Sequence, residues 1–308
     1  MRAEAPSADW LNRRERGSGR LLAWMVRLSL RFGRRASRAA LHLIVVYFFL
    51  FAPAARRASR RYLTLALGVR PRARDLYRHI LYFATCVHDR VYLINEQYAR
   101  FDFSIEGEEL VRAALDSGRG AFLMGAHLGS FEVMRSIGLR QPSIRVSMAM
   151  YEHNARKLNA VLASINPAVK ADIISLGQVD AMLKIAERLD GGAFVGMLAD
   201  RTLGEEPLQA VSLLGAGAHL PTGPMRIAAA LRRPVIFMAG LYRGRNRYHV
   251  VFASLADFTA TTRGGRETAV TEAIERYAAL LERYCRSDPY NWFNFFDFWR
   301  APAAQRKP

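Results

Sequence analysis

Ala121-Phe122-Leu123-Met124-Gly125-Ala126-His127-Leu128-Gly129-Ser130-Phe131-Glu132 is the stretch on which the reading of the fold turns. Residues 121–124 form an unbroken apolar run, the mark of a strand buried on both faces, and Gly125 ends it. A tight turn of small residues then carries His127, and residues 131–137 resume at helical spacing. Strand, turn and helix together set His127 and Glu132 at the mouth of one motif. They make a base and an orienting carboxylate: the acid holds the imidazole in one tautomer and stabilises the imidazolium that forms. Gly129 permits close backbone approach by a substrate, and the helix N-terminus favours developing negative charge. A His-x4-Glu spacing also occurs in pairs that do no chemistry, so the surrounding chain has to decide.

Outward from this stretch, strands are expected at 103–106, 144–150, 173–176, 194–198, 210–214, 235–241 and 248–255. Helical patterns fall at 62–67, 75–95, 108–115, 154–165, 179–189, 225–231 and 267–285. The alternation predicts a three-layer α/β domain whose central sheet is mixed, mostly parallel and flanked by helices. An aromatic cluster at 290–299 closes the chain. No internal repeat or long linker divides it. The expected organisation is a basic, apolar anchor region over residues 1–74 and a catalytic domain over 75–308.

Charge singles out that first region. The chain carries a formal net charge of +18, and residues 1–74 hold 17 arginines, no lysine and 3 acids. An excess confined to one end points to an anionic surface met by that end, either nucleic acid or anionic lipid. The apolar content between the arginines favours lipid. Residues 21–32 (LLAWMVRLSLRF) are amphipathic with Arg27 and Arg31 on one face, an interfacial pattern. Residues 39–52 (AALHLIVVYFFLFA) are 14 residues without a formal charge. A bilayer span needs about 20, so this segment is short, and arginines on both flanks would extend it by snorkelling. A membrane-embedded or half-inserted anchor is expected, with the rest of the protein in the cytoplasm.

Two other places carry chemistry. In Leu198-Ala-Asp200-Arg201-Thr-Leu-Gly204 the acid and the arginine stand just past a strand end, where α/β sheets place their sites. Arg201 would hold an acidic group or an oxyanion, with Asp200 fixing its orientation; a local surface ion pair is the alternative. In Gly215-Ala-Gly217-Ala-His219-Leu-Pro221-Thr222-Gly223-Pro224 the glycines and prolines suggest a loop that approaches a ligand before a helix. His219 would be either a polar contact there or simply solvated. Neither stretch fits a P-loop or GxGxxG. There is no GxSxG elbow around Ser130 and no HExxH, so serine and metal catalysis both lack support. Cys86 and Cys285 fit buried thiols, and His79 and His88 fit packing or surface roles. What remains is a base without its own nucleophile, suited to activating a substrate hydroxyl.

The ordered set of blocks resembles the bacterial lipid A biosynthesis (lauroyl/myristoyl) acyltransferase family, within the lysophospholipid acyltransferase superfamily. The blocks are the apolar N-terminus, Gly125-Ala-His127-Leu-Gly129-Ser130-Phe-Glu132, Leu198-Ala-Asp200-Arg201 with Gly204, Leu213-Leu214-Gly215, Pro221-Thr222-Gly223 and Arg233-Pro234-Val235-Ile236. The resemblance implies a glycerolipid acyltransferase-like fold and an HX4E motif with His127 as base and Glu132 as its orienter. Gly125, Gly129, Ser130, Asp200, Arg201, Gly204, Thr222 and Gly223 would line the substrate sites. It also implies an acyl donor on acyl carrier protein or coenzyme A, a lipid-like acceptor hydroxyl, no cofactor, no metal and no nucleic acid, at the cytoplasmic face of the bacterial inner membrane. The C-terminal Asn291-Trp292-Phe293-Asn294-Phe295-Phe296-Asp297-Phe298-Trp299 departs from the family's basic ending, and a basic residue between the motifs is missing or replaced by Lys170. Those departures look more like acyltransferases of aryl polyene or xanthomonadin-type pathways. A lipid hydrolase and a non-catalytic membrane-associated binding protein of the same fold are the alternatives.

Overall fold

The computed structural model describes residues 19–133, 144–150, 173–201 and 206–299. Among them, one 7-stranded sheet runs in the order β1-β9-β8-β2-β5-β3-β4. Its strands are β1 (Asp102–Glu106), β2 (Ala121–Gly125), β3 (Val146–Met150), β4 (Ile173–Ser175), β5 (Phe194–Leu198), β8 (Pro234–Tyr242) and β9 (Arg247–Asp257). All neighbours pair in parallel except β8 and β9, whose short connection forces an antiparallel pair. The mixed, mostly parallel sheet is as the alternation predicts.

Side-chain alternation sorts the strands between two helical layers. Phe122 and Met124 of β2, with Val235, Phe237 and Ala239 of β8, join a core shared with α6 (Gly223–Ala230) and α7 (Arg266–Ser287). Ala121 and Leu123, with Ile236 and Met238, join the opposite core, shared with α3 (Ala73–Ile94) and α4 (Glu108–Asp116). Because both faces are covered, the central strands read as apolar runs and not as an apolar–polar alternation. Helix α5 (Ala181–Asp190) leads into β5. The helix expected at 154–165 lies outside the described residues.

Two expectations change. Residues 215–223 are not a ligand-approaching loop: β6 (Leu208–Leu213) and β7 (Ala216–Pro221) form an antiparallel hairpin that places His219 opposite Ala210. Its two-residue turn has φ of 56° at Leu214 and 77° at Gly215. Positive φ at both central residues suits a tight hairpin, usually signalled by Asn-Gly. Here the Glu282 carboxylate takes the Leu214 N–H at 2.6 Å and holds a leucine where leucine is rare.

The arginines at 34 and 38 are the second correction. Helix α1 (Gly19–Phe51) is broken at Gly33, and Arg34 turns inward there instead of flanking a bilayer segment. Its guanidinium grips both Asp89 oxygens of α3 at 2.7 Å and reaches the Arg245 carbonyl at 2.7 Å. Arg38 donates to the Tyr242 hydroxyl at 2.6 Å. These bonds fasten α1 to the β8–β9 turn. Beyond the break, Leu41 and Val45 are buried, while Leu43, Val46, Tyr47, Leu50 and Phe51 stand exposed on the outer side. The uncharged run is therefore apolar all round, with one stripe covered by protein. The chain then bends by 93° into α2 (Pro53–Leu67). No single helix among the described residues is long and apolar enough to cross a membrane, although this bent pair is by length and composition.

Candidate active site

The site follows from register. Strands β2 and β5 pair in parallel with Gly125 opposite Leu198, and the Ala199 N–H continues the ladder to the Gly125 carbonyl at 2.9 Å. Two residues further on in each chain, His127 and Asp200 come opposite one another. The Asp200 Oδ1 lies 2.9 Å from His127 Nδ1, and Oδ2 accepts the His127 backbone N–H at 3.1 Å. The Trp292 indole N–H donates to the same Oδ2 at 3.0 Å.

Electrostatics fix the protonation pattern. Burial alone would raise the Asp200 carboxyl, which is 1% exposed, but the charge and hydrogen bond of His127, the nearby Arg201 and the indole N–H outweigh it. The carboxyl is held well below the usual range and stays anionic. An anionic acceptor requires a donor at Nδ1, so the imidazole carries its proton there and presents a lone pair at Nε2. For His127 itself, desolvation leads, the Arg201 charge adds to it, and together they exceed the opposing pull of Asp200. The imidazole pKa is lowered, so the ring is neutral at pH 7. One edge remains open: the side chain is 34% exposed, and among the described residues no group bonds Nε2. A neutral imidazole oriented by a buried carboxylate and open at Nε2 has the form a general base requires.

Two strips of backbone clamp the turn that carries it. On one side Ser130 N–H donates to the Gly240 carbonyl of β8 at 2.8 Å. On the other, Leu128 bridges Trp292, Gly129 N–H donates to Asn291 O at 2.8 Å, and Phe293 N–H donates to His127 O at 2.8 Å. Asn291 is in turn pinned through its amide to Tyr242 N–H and C=O. Trp292, fully buried, sits edge-on to Tyr62, Phe298 and Trp299.

Several expected roles shift against this geometry. Asp200 is buried behind His127, with its carboxylate bonded to His127 and Trp292. The acid on Nδ1 is Asp200, and Glu132 stands 3.7 Å from the Arg90 guanidinium of α3. Gly129 (φ 74°) is required because a β-carbon would collide with the Gly240 carbonyl, a close approach made by the protein's own strand. Gly125 is enclosed in the sheet, its carbonyl also accepting from Tyr277 OH at 2.8 Å. Ser130 is 4% exposed, with its hydroxyl buried. Thr222 and Gly223 open α6, with Thr222 bonded through N–H and Oγ1 to the Pro207 carbonyl. Arg201 does stand beside the base, donating to the Phe293 carbonyl at 2.8 Å with its guanidinium over the Phe296 ring. Gly204 and Lys170 lie outside the described residues. Cys86 and Cys285 are buried free thiols whose pKa burial pushes up, which leaves them inert. No cluster of His, Cys, Asp or Glu among the described residues could hold a metal ion. Trp292 and Asn291 are the site residues that sequence reading missed. Their only signal was an aromatic run broken by asparagines.

An oriented imidazole at the C-terminal edge of a parallel β-pair, with no nucleophilic side chain bonded to it among the described residues, is suited to taking a proton from a substrate. The sequence model of the bacterial lipid A biosynthesis acyltransferase family matches residues 19–301, and the chain belongs to that family. It is an acyltransferase. No curated protein matches the chain.

Proposed function

We propose that the protein transfers an acyl chain from a carrier-bound thioester, on acyl carrier protein or coenzyme A, to the hydroxyl of a lipid-like acceptor at a membrane surface. The observation that carries this reading is the Asp200–His127 pair with Nε2 open. In the reaction Nε2 takes the proton of the acceptor hydroxyl, and the oxygen attacks the thioester carbonyl carbon. The tetrahedral intermediate collapses with loss of the C–S bond, and the imidazolium returns its proton to the departing thiolate. Asp200 stabilises the imidazolium without accepting its proton. Arg201 and Arg90, whose charges both act on His127, favour the negative charge that gathers on the carbonyl oxygen.

The outward ridge of Leu43, Val46, Tyr47, Leu50 and Phe51 supports the membrane part of the reading. These residues share one helical face, and exposed Arg57 and Arg60 follow on α2. An apolar stripe with neighbouring cations fits an anionic lipid surface better than water. The block 291–299 has no basic residue and is taken up in packing around the turn. It supports an acceptor without a phosphate at that end, as in the aryl polyene branch, over a phosphorylated lipid A precursor.

The test is thiol release from an acyl-carrier-protein thioester in the presence of a bacterial total lipid extract, with mass spectrometry of the lipids. His127→Ala is expected to lower turnover by about 10²–10⁴-fold with the circular dichroism spectrum retained. Wild-type turnover in that variant would overturn the assignment of the base. Equal release of free fatty acid with and without lipid extract would replace acyl transfer by hydrolysis.

A further inference from the structure

The geometry points to Trp292 as a positioning residue of the reaction: its indole N–H completes a Trp292–Asp200–His127 chain and tunes the basicity of His127 Nε2. This rests on His127 being the base. The carboxylate of Asp200 has two oxygens with different tasks. Oδ1 faces the imidazole, while Oδ2 takes the Trp292 Nε1–H at 3.0 Å and the His127 backbone N–H at 3.1 Å. Among the described residues the indole is the one side-chain donor on Oδ2, and it arrives from outside the β2–β5 pair. A hydrogen bond on Oδ2 draws negative charge away from Oδ1 and weakens the attraction between the carboxylate and an imidazolium, which makes Nε2 less basic and leaves it unprotonated further into acid.

The indole is itself held from three directions. Its main chain is tied to the catalytic turn, because Leu128 bridges Trp292 and Phe293 N–H bonds His127 O. Its carbonyl oxygen lies 2.8 Å from His79 Nε2, which must therefore carry the ring proton, and Ser59 Oγ closes on His79 Nδ1 at 2.8 Å. Its ring is wedged by Tyr62, Phe298 and Trp299. One residue thus fixes the carboxylate by its side chain and the histidine's own loop by its backbone. The remaining charged or titratable groups around the chain are Arg201 at the end of β5, Arg90 and His79 on α3, Glu132, Tyr62 on α2, and Tyr277 and Cys285 on α7. Within the described residues Asp200 is bonded by Trp292 and His127 and by none of these other groups, so removal of one N–H is a local change.

Trp292→Phe in the full chain deletes the donor. The acid limb of the kcat/KM profile is expected to move to higher pH by about half a unit or more, since the carboxylate recovers charge and the imidazole becomes more basic. Turnover per folded molecule at neutral pH should fall about tenfold to hundredfold through misplacement of the ring, with KM for the thioester little changed. Replacing Trp292 by benzothienylalanine, which keeps the bicyclic shape and lacks the N–H, decides the matter if the phenylalanine variant does not fold. NMR titration of the His127 ring frees the inference from the assay. An unchanged His127 pKa in the variant without the N–H overturns it, and so does an unchanged acid limb with wild-type turnover. If His127→Ala instead keeps full transfer, the assignment of the base falls first, and the titration still reports on the Trp292–Asp200–His127 coupling.

Discussion

Asp200 and Asp89 solve the same physical problem in opposite ways. Each carboxylate is almost wholly removed from water, and each is held ionised by hydrogen bonds that outweigh the cost of burial. At Asp89 the solution is closed. Arg34 meets both oxygens side by side, Tyr248 OH adds a bond at 2.8 Å, and the charges cancel within the cluster. At Asp200 the partner is an imidazole, a donor on one side and a lone pair on the other, and that second side faces an opening. A buried carboxylate becomes chemically useful when its partner carries the effect outward to a group that can exchange a proton. The arginine that makes Asp89 secure also makes it inert.

That contrast can be broken most sharply at Asp200 itself. Asp200→Asn offers an amide where His127 needs an acceptor, so the imidazole turns over to the other tautomer and Nε2 becomes a donor. Turnover is expected to drop about 10⁴-fold, with the thermal midpoint moving far less than activity. At the closed site the sign of the result reverses. Arg34→Met leaves Asp89 buried without its main counter-charge and should cost about 3–5 kcal/mol in urea unfolding, while kcat per folded molecule stays near wild type. Strong loss of kcat in folded Arg34→Met would show that the two clusters are coupled.

A third buried group, His79, extends the comparison to one that must remain uncharged. Burial lowers its pKa from 6.5 to about 4, against the smaller pull of the Trp292 carbonyl. The unfolded chain takes up a proton below about pH 6.5 and the folded chain does not, so stability falls as pH drops from 6.5 towards 4. The expected loss across that window is about 3 kcal/mol, read as unfolding free energy against pH, and His79→Phe should flatten that part of the curve. The smallest effect belongs at the surface. Arg61 and Asp297 form a half-exposed pair at 2.5 Å, and Arg61→Ala should change stability by about 0–1 kcal/mol and leave turnover alone.

How far the sequence can be read follows the range of the contacts involved. Strand β5 falls where residues 194–198 predict it, and the sheet's class follows from alternation, because these depend on neighbours along the chain. Asp200 also stands out in the sequence, at the end of that strand, yet its partner does not. The bond to His127 spans 73 residues and depends on which strand lies beside β2, which no local pattern encodes. Reading Asp200 with the adjacent Arg201 was the local choice. Trp292 is more distant still, and an indole donor inside an aromatic run resembles ordinary packing until the carboxylate beneath it is seen. The hairpin at 214–215 escapes for a different reason. Its turn uses Leu-Gly, and the Glu282 bond that stabilises the unusual leucine comes from the far helix α7.

The His79 contacts also bear on how this protein can be taken apart. Ser59 of α2 bonds His79, His79 bonds the Trp292 carbonyl, and Tyr62 of α2 backs the indole. A chain begun at residue 75, as one would cut it to discard a greasy leader, would keep the whole Trp292–Asp200–His127 chain. It would lose Ser59, Tyr62 and the arginine that neutralises Asp89. For anyone building chimeras, the first two helices of this acyltransferase are therefore not an interchangeable handle. Exchanged for those of another protein, they would have to bring a hydroxyl and an aromatic ring to the same two places.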